Sequence, residues 1–213
     1  TRLQVEHPIT EFVAGVDLVR TQIQIAQGDP LPFRQEDLSQ RGHAIECRIY
    51  AEDTEAGFLP STGSLLRFDI PAGYNVRVDR GFRAGDDVTV HYDPMLAKLI
   101  VHARTRDEAI DKMRWALDHF IVHGVETNID FLASVIVHEA FRRGETTTAF
   151  IDTFFANWAP SAEDPPPEVL IAAALFDRPE KNAAIKWGLD AFQVSKIGAS
   201  LPWDLLGRWR MGE

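Results

Sequence analysis

Arg2, Gln4 and Glu6, near the start of the chain, and Glu46 with Arg48 further on, carry side chains suited to a small planar anion. A guanidinium presents its N–H donors as a rigid fork that matches carboxylate or bicarbonate. An amide adds directed hydrogen bonds, and a neighbouring carboxylate can take up a proton. If residues 2–6 are extended, their period of two puts Arg2, Gln4 and Glu6 on one face and Leu3 and Val5 on the other. Glu46 and Arg48 share the polar face of a second expected strand. On spacing alone, an exposed strand with solvated charges explains the same pattern.

Other chemistries have less to rest on. The chain contains no GxxxxGK[ST] phosphate loop, no GxGxxG, no GxSxG and no HExxH. Its one cysteine, Cys47, cannot form an internal disulfide, which suits a reducing compartment. Alternating inward with Ile45 and Ile49, it reads as a buried, inert thiol. The seven histidines show no ligand spacing, so no metal site is expected, and His7, His43 and His91 read as packing residues. A net charge of −10 without a basic cluster argues against nucleic acid and anionic lipid as partners. Neither a window of about 20 apolar residues nor a secretory leader is present, so no membrane span is expected. The chain begins at Thr1 directly on an alternating run, as a piece of a longer polypeptide would.

The elements that must position these residues follow from periodicity. After Pro8, Thr10 is a candidate cap for a helix over about 10–27, with Phe12, Val16, Val19, Ile23 and Ala26 on its apolar side. A connection covers 31–40. Strands are expected at 42–51, 64–70, 74–79, 88–90 and 96–103, close enough for hairpins and so for a largely antiparallel sheet. Asp107 is expected to cap a helix carrying Ile110, Met113, Leu117 and Phe120, and Asn128 to start another that runs to Gly144. A short amphipathic piece lies at 150–155. Helices packed on this sheet give an α+β class. APSAEDPPPE, from Ala159, reads as an acidic, proline-rich linker. Beyond it, Leu170 to Leu175 and Trp187, Trp203 and Trp209 read as the truncated start of another domain.

The ordered segments TRLQVEHPITE, GVDLV, RGHAIECRIYAED, FLPSTG and HYDPMLAKLIV closely resemble the biotin carboxylase family of ATP-grasp enzymes, from Thr1 to about Phe155. The resemblance implies the end of an ATP-grasp domain at 1–40, a biotin carboxylase C-terminal domain at 41–157, a linker at 158–168 and a following domain from 169 to 213. In that family ATP and bicarbonate form carboxyphosphate, and biotin is carboxylated after it breaks down. Carried over, Arg2, Gln4 and the Val5 backbone would hold bicarbonate, Glu6 would take its proton, and Arg48 would stabilise the enolate-like oxygen of biotin. Glu46 would orient Arg48 or form a plain ion pair with it. Asp93 and Lys98, in HYDPMLAK, read as structural residues or as part of the site wall.

The resemblance further implies ATP and Mg²⁺ bound mainly by residues missing from this chain, and biotin on a carrier domain elsewhere. The isolated chain is therefore expected to be inactive toward ATP. Implied partners are that biotin carboxyl carrier domain, a second copy meeting through Tyr74 and Arg77, and a carboxyltransferase subunit. EHPIT, IECRIYAED and PWDLLGRWRMG are worded like the α subunits of acyl-CoA carboxylases, which implies fatty-acid metabolism and a cytoplasmic or, in a eukaryote, mitochondrial-matrix setting. A non-catalytic assembly module, or part of a pyruvate or urea carboxylase, are the alternatives. The enzymatic reading fails if Arg2 and Arg48 lie on opposite sides of the molecule with no shared cavity.

Overall fold

The computed structural model describes residues 2–160 and 165–176. The chain divides after Pro160 into two units. In the first, helices α1 (His7–Ala14) and α2 (Leu18–Ala26) precede strand β1 (His43–Tyr50). Short strands β2 (Glu52–Asp53), β3 (Leu59–Pro60), β4 (Gly63–Ser64) and β5 (Arg67–Asp69) follow, then β6 (Val76–Arg80), β7 (Asp87–Val88) and the long β8 (Met95–Ala103). Helix α3 (Arg106–Asp118), strand β9 (Ile121–His123) and helices α4 (Ile129–Val137), α5 (Glu139–Arg142) and α6 (Phe150–Phe154) complete the unit. In the second unit the described residues form helix α7 (Pro167–Phe176). The domain start expected at 169, and Trp187, Trp203 and Trp209 with it, lies largely outside the described residues.

The centre of the first unit is a three-stranded antiparallel sheet in the order β1-β8-β6. Two-stranded antiparallel pairs β2-β3, β4-β7 and β5-β9 surround it. Period two divides the central sheet into two faces. Ile45, Cys47 and Ile49 lie opposite Val101, Leu99 and Ala97, and Val78 continues the Leu99 row. These residues form the core with Ala109, Ile110, Met113, Ala116 and Leu117 of α3. The other face carries Glu46, Ile100 and Arg77 in one cross-strand row and Arg48, Lys98 and Asp79 in the next. Helix α1 lies against this face, with Phe12 stacked on His102 at 5.7 Å and the Glu11 carboxylate 2.6 Å from Arg77. Close packing is sharpest at Gly124, whose φ is 108° and where a Cβ would run into the Ser64 carbonyl oxygen.

Several sequence expectations are corrected. Residues 2–6 are not a strand: residues 2–4 have no regular structure, residues 5 and 6 turn, and Glu6 precedes the first residue of α1. Pro8 sits in the first turn of that helix, where its fixed φ is favourable and its missing N–H costs nothing. The expected single helix over 10–27 is two, because Gly15 is left-handed at φ 69° and ends α1. Asp17 then caps α2, accepting from the Arg20 N–H at 2.8 Å. Thr105 rather than Asp107 caps α3, accepting from the Glu108 N–H. The helix expected from Asn128 to Gly144 breaks at His138, whose ψ of 135° is extended. Strand pairs β2-β3 and β5-β9 include segments that sequence periodicity does not mark, since two or three residues carry too little alternation.

Candidate active site

The loop before α1 is shaped by its own backbone and by groups on the sheet. The His7 N–H donates to the Gln4 carbonyl at 3.2 Å, and a His7 ring nitrogen lies 2.7 Å from the same oxygen. The loop meets the sheet at two points: Arg48 donates to the Glu6 carboxylate at 2.9 Å, and the Lys98 ammonium donates to the Val5 carbonyl at 3.0 Å. Glu6 and Arg48 are both about half-exposed, so their ion pair contributes at most about 1 kcal/mol to stability. Its effect is positional.

Arg48 reaches Glu6 because β1 places it on the charged face. Two residues earlier on that face, Glu46 turns inward until its side chain is only 6% exposed. Its nearest charged atom is Arg48 Nε at 3.7 Å, too long for a hydrogen bond, and neither carboxylate oxygen has a hydrogen-bond partner among the described residues. Burial pushes the Glu46 carboxyl above its ordinary value, against the pull of Lys98 and Arg48. Glu46 therefore supports Arg48 by charge and packing, without the hydrogen bond that an orienting role would use.

Across β8, Lys98 also pairs with Asp79 at 3.2 Å, and Asp79 receives two hydrogen bonds from Arg77 at 2.7 and 2.9 Å. Burial works against ionisation of Asp79, but the Arg77 and Lys98 contacts outweigh it and hold its carboxyl below the ordinary range. Arg77 bonds Glu11 as well, and these acceptors push its own pKa up. Charged side chains thus cross the sheet from Glu6 to Glu11, with the two cations Arg48 and Lys98 side by side and carboxylates flanking them.

The structure therefore brings together Glu6, Arg48, Glu46, the Val5 carbonyl and Lys98. The side chains of Arg2 and Gln4 are exposed on the same loop and make no hydrogen bond or ion pair among the described residues. Depressions of about 580 Å³ lie elsewhere: one is lined by Tyr74, His102 and Lys112, the other by Asp17, Gln24 and Arg77. The loop that carries Arg2 meets the Arg48 face of the sheet through Glu6, and neither depression is lined by Arg2 or Arg48. His43 and His91 are exposed, which corrects their reading as packing residues. Cys47 is buried, and burial pushes its thiol up to about 12. Asp93 accepts from the Met95 N–H at 2.9 Å at the start of β8, a structural contact.

Asn128 is a residue that sequence reasoning missed. Read as the start of a helix, it makes no side-chain cap. Its side chain crosses instead to the free edge of β1, accepting from the Tyr50 N–H at 3.0 Å and donating to the Arg48 carbonyl at 3.1 Å. It thereby does the work of a neighbouring strand where the β1-β8 register shifts, between Ile49 and Tyr50. Asparagine at a helix start carries no sign of this long-range task.

Comparison with known proteins identifies the family. The family profile described as the biotin carboxylase C-terminal domain matches residues 46–153, and that of the carbamoyl-phosphate synthase L chain ATP binding domain matches residues 1–34. The chain is 49% identical to a pyruvate carboxylase subunit of Methanothermobacter thermautotrophicus over 72% of this chain and 31% of that protein. It is 47% identical to the mitochondrial methylcrotonoyl-CoA carboxylase alpha subunit of Glycine max over 94% of this chain and 25% of that protein. Among solved structures, the biotin carboxylase domain dimer of Hydrogenobacter thermophilus 2-oxoglutarate carboxylase, in complex with MgADP, ADP and bicarbonate, superposes with a TM-score of 0.71 at 44% identity. That match covers 72% of this chain and 34% of the neighbour. The chain thus spans about a third or less of the length of these relatives. It belongs to the biotin carboxylase family.

Proposed function

We propose that this chain is the C-terminal part of a biotin carboxylase and supplies the bicarbonate and biotin side of its active site. The contact that carries this reading is Arg48 to Glu6 at 2.9 Å, which joins a permanent cation on the sheet to a carboxylate at the start of α1. In the proposed reaction bicarbonate attacks the terminal phosphorus of ATP and ADP leaves. Glu6 accepts the bicarbonate proton, while Arg2, Gln4 and the Val5 backbone hold the anion. Carboxyphosphate would then release carbon dioxide and phosphate, the phosphate would take the proton of biotin N1′, and N1′ would attack the carbon dioxide. Arg48 stabilises the negative oxygen of the biotin ureido ring as its proton leaves. Glu46 keeps Arg48 on this face by charge.

Among the described residues, no group of three or more His, Cys, Asp or Glu side chains is spaced to hold a metal ion. On the family resemblance, ATP and Mg²⁺ are assigned mainly to the ATP-grasp portion, whose end is 1–40, with the C-terminal domain at 41–157 and a linker at 158–168. Partners on this reading are a biotinylated carrier domain, a second copy of the chain and a carboxyltransferase subunit. Two methylcrotonoyl-CoA carboxylase matches extend over 94% and 99% of the chain, beyond the 72% and 80% reached by two pyruvate carboxylase matches, which supports the acyl-CoA type, although a further methylcrotonoyl-CoA carboxylase match covers 72%. No described helix is long and apolar enough to cross a membrane. A cytoplasmic or mitochondrial-matrix setting fits the family.

The test is Arg2→Ala in the full-length enzyme, assayed for ATP-dependent carboxylation of free biotin. Loss of a charge partner aimed at the reacting anion is expected to lower turnover at least about 100-fold. Wild-type turnover in that variant refutes the assignment.

A further inference from the structure

We propose that Lys98 is a positioning residue for Glu6, a role that rests on the function proposed above. The Val5 carbonyl that accepts from Lys98 belongs to the peptide linking Val5 to Glu6. That peptide is planar, so fixing its oxygen also fixes the nitrogen and Cα of Glu6. Glu6 is therefore held at both ends: its backbone by Lys98 and its carboxylate by Arg48. The two anchors lie directly opposite each other on β1 and β8, so the sheet sets their spacing.

Lys98 is not a solvated surface lysine. Its side chain is 12% exposed, and Asp79, its opposite neighbour on β6, holds the ammonium from the other side at 3.2 Å. Burying a lysine on a central strand is costly unless its charge is paired and its donors are engaged; Asp79 pairs the charge, and Asp79 with the Val5 carbonyl takes two of the three donors. Residues 2–4 have no regular structure of their own. Beside the turn into α1, where the Glu6 carbonyl accepts from the Ile9 N–H at 3.0 Å, the contacts from the sheet are what aim the proposed base.

The experiment uses the full-length enzyme and bicarbonate-dependent ATP cleavage. Lys98→Met is expected to lower kcat/KM for bicarbonate about tenfold, the scale for losing one charge-assisted hydrogen bond, with KM for ATP unchanged. Lys98→Arg, which keeps a donor and the charge, restores most of the loss. In a Glu6→Gln background Lys98→Met adds no further loss, because the group it positions is gone. An equal loss in both backgrounds, or an unchanged kcat/KM for bicarbonate in Lys98→Met, overturns the inference and leaves the proposed function standing. Wild-type activity in Glu6→Gln overturns the proposed role of Glu6 and the inference with it. If Lys98→Met does not fold, Asp79→Asn tests the same tether, with a smaller loss of the same kind expected and no loss overturning it.

Discussion

One face of the sheet β1-β8-β6 carries Ile45, Cys47, Ile49, Leu99 and Val101, all buried under α3. The other carries Glu46, Arg48, Lys98 and Asp79, which pair with one another and, through Arg48 and Lys98, with the turn that leads into α1. The same three strands build both faces, yet the forces on them differ. Apolar burial is strong and non-directional, and it sets which way every side chain of β1 and β8 must point. The charged contacts add little net stability, but they are directional, and they decide where Glu6 sits. One face makes the fold stable, and the other uses that rigidity to aim a small number of groups.

The largest expected effect tests the apolar face. Leu99→Ala, at a fully buried position, should cost about 2–5 kcal/mol of unfolding free energy in denaturant titration. If kcat/KM per folded molecule of the full-length enzyme also falls by more than about tenfold, the division between the faces is broken.

Asn128→Ala lies between the two faces. It removes both side-chain hydrogen bonds to β1 and leaves the Arg48 carbonyl and the Tyr50 N–H without those partners. A loss of about 1–3 kcal/mol is expected. If that loss is absent, the free edge of β1 does not need its side-chain substitute for a strand.

The smallest effect concerns Glu46 on the charged face. Its carboxyl is raised in the folded protein, so it favours folding most below its ordinary value of 4.5 and loses that contribution as pH rises through the raised value. Glu46→Gln has no such loss. Its thermal midpoint relative to wild type should therefore climb as pH rises above the ordinary value of 4.5. A constant difference between the two, or a fall, means that Arg48 and Lys98 fully compensate the buried charge.

The same contrast explains what the sequence revealed. Strong alternation made β1 legible from Gly42 to Ala51, and apolar residues at helical spacing marked α3 and α4. The residues of the loop were found, but their placement was not. Arg2 to Glu6 happens to alternate, and period two suggested a strand where Pro8 in the first turn of α1 imposes a turn. Glu46 and Arg48 were placed on the correct face, but nothing local says that one is buried and the other half-exposed. Lys98 left a trace, a lysine within the apolar run MLAKLIVHA. Asn128 left none, because its partners lie 78 and 80 residues away in the chain.

The register shift beside Tyr50 has a consequence for how this stretch can change in length. Tyr50 pairs with Met95 and Ile49 with Ala97, so Leu96 is one residue more on β8 than β1 matches. Deleting a residue from β8 below that point would swing the Lys98 ammonium toward the oily layer and turn Leu99 out toward the charges. Each deletion there flips a whole row, so tolerance of indels should be poor along the strand that builds both faces.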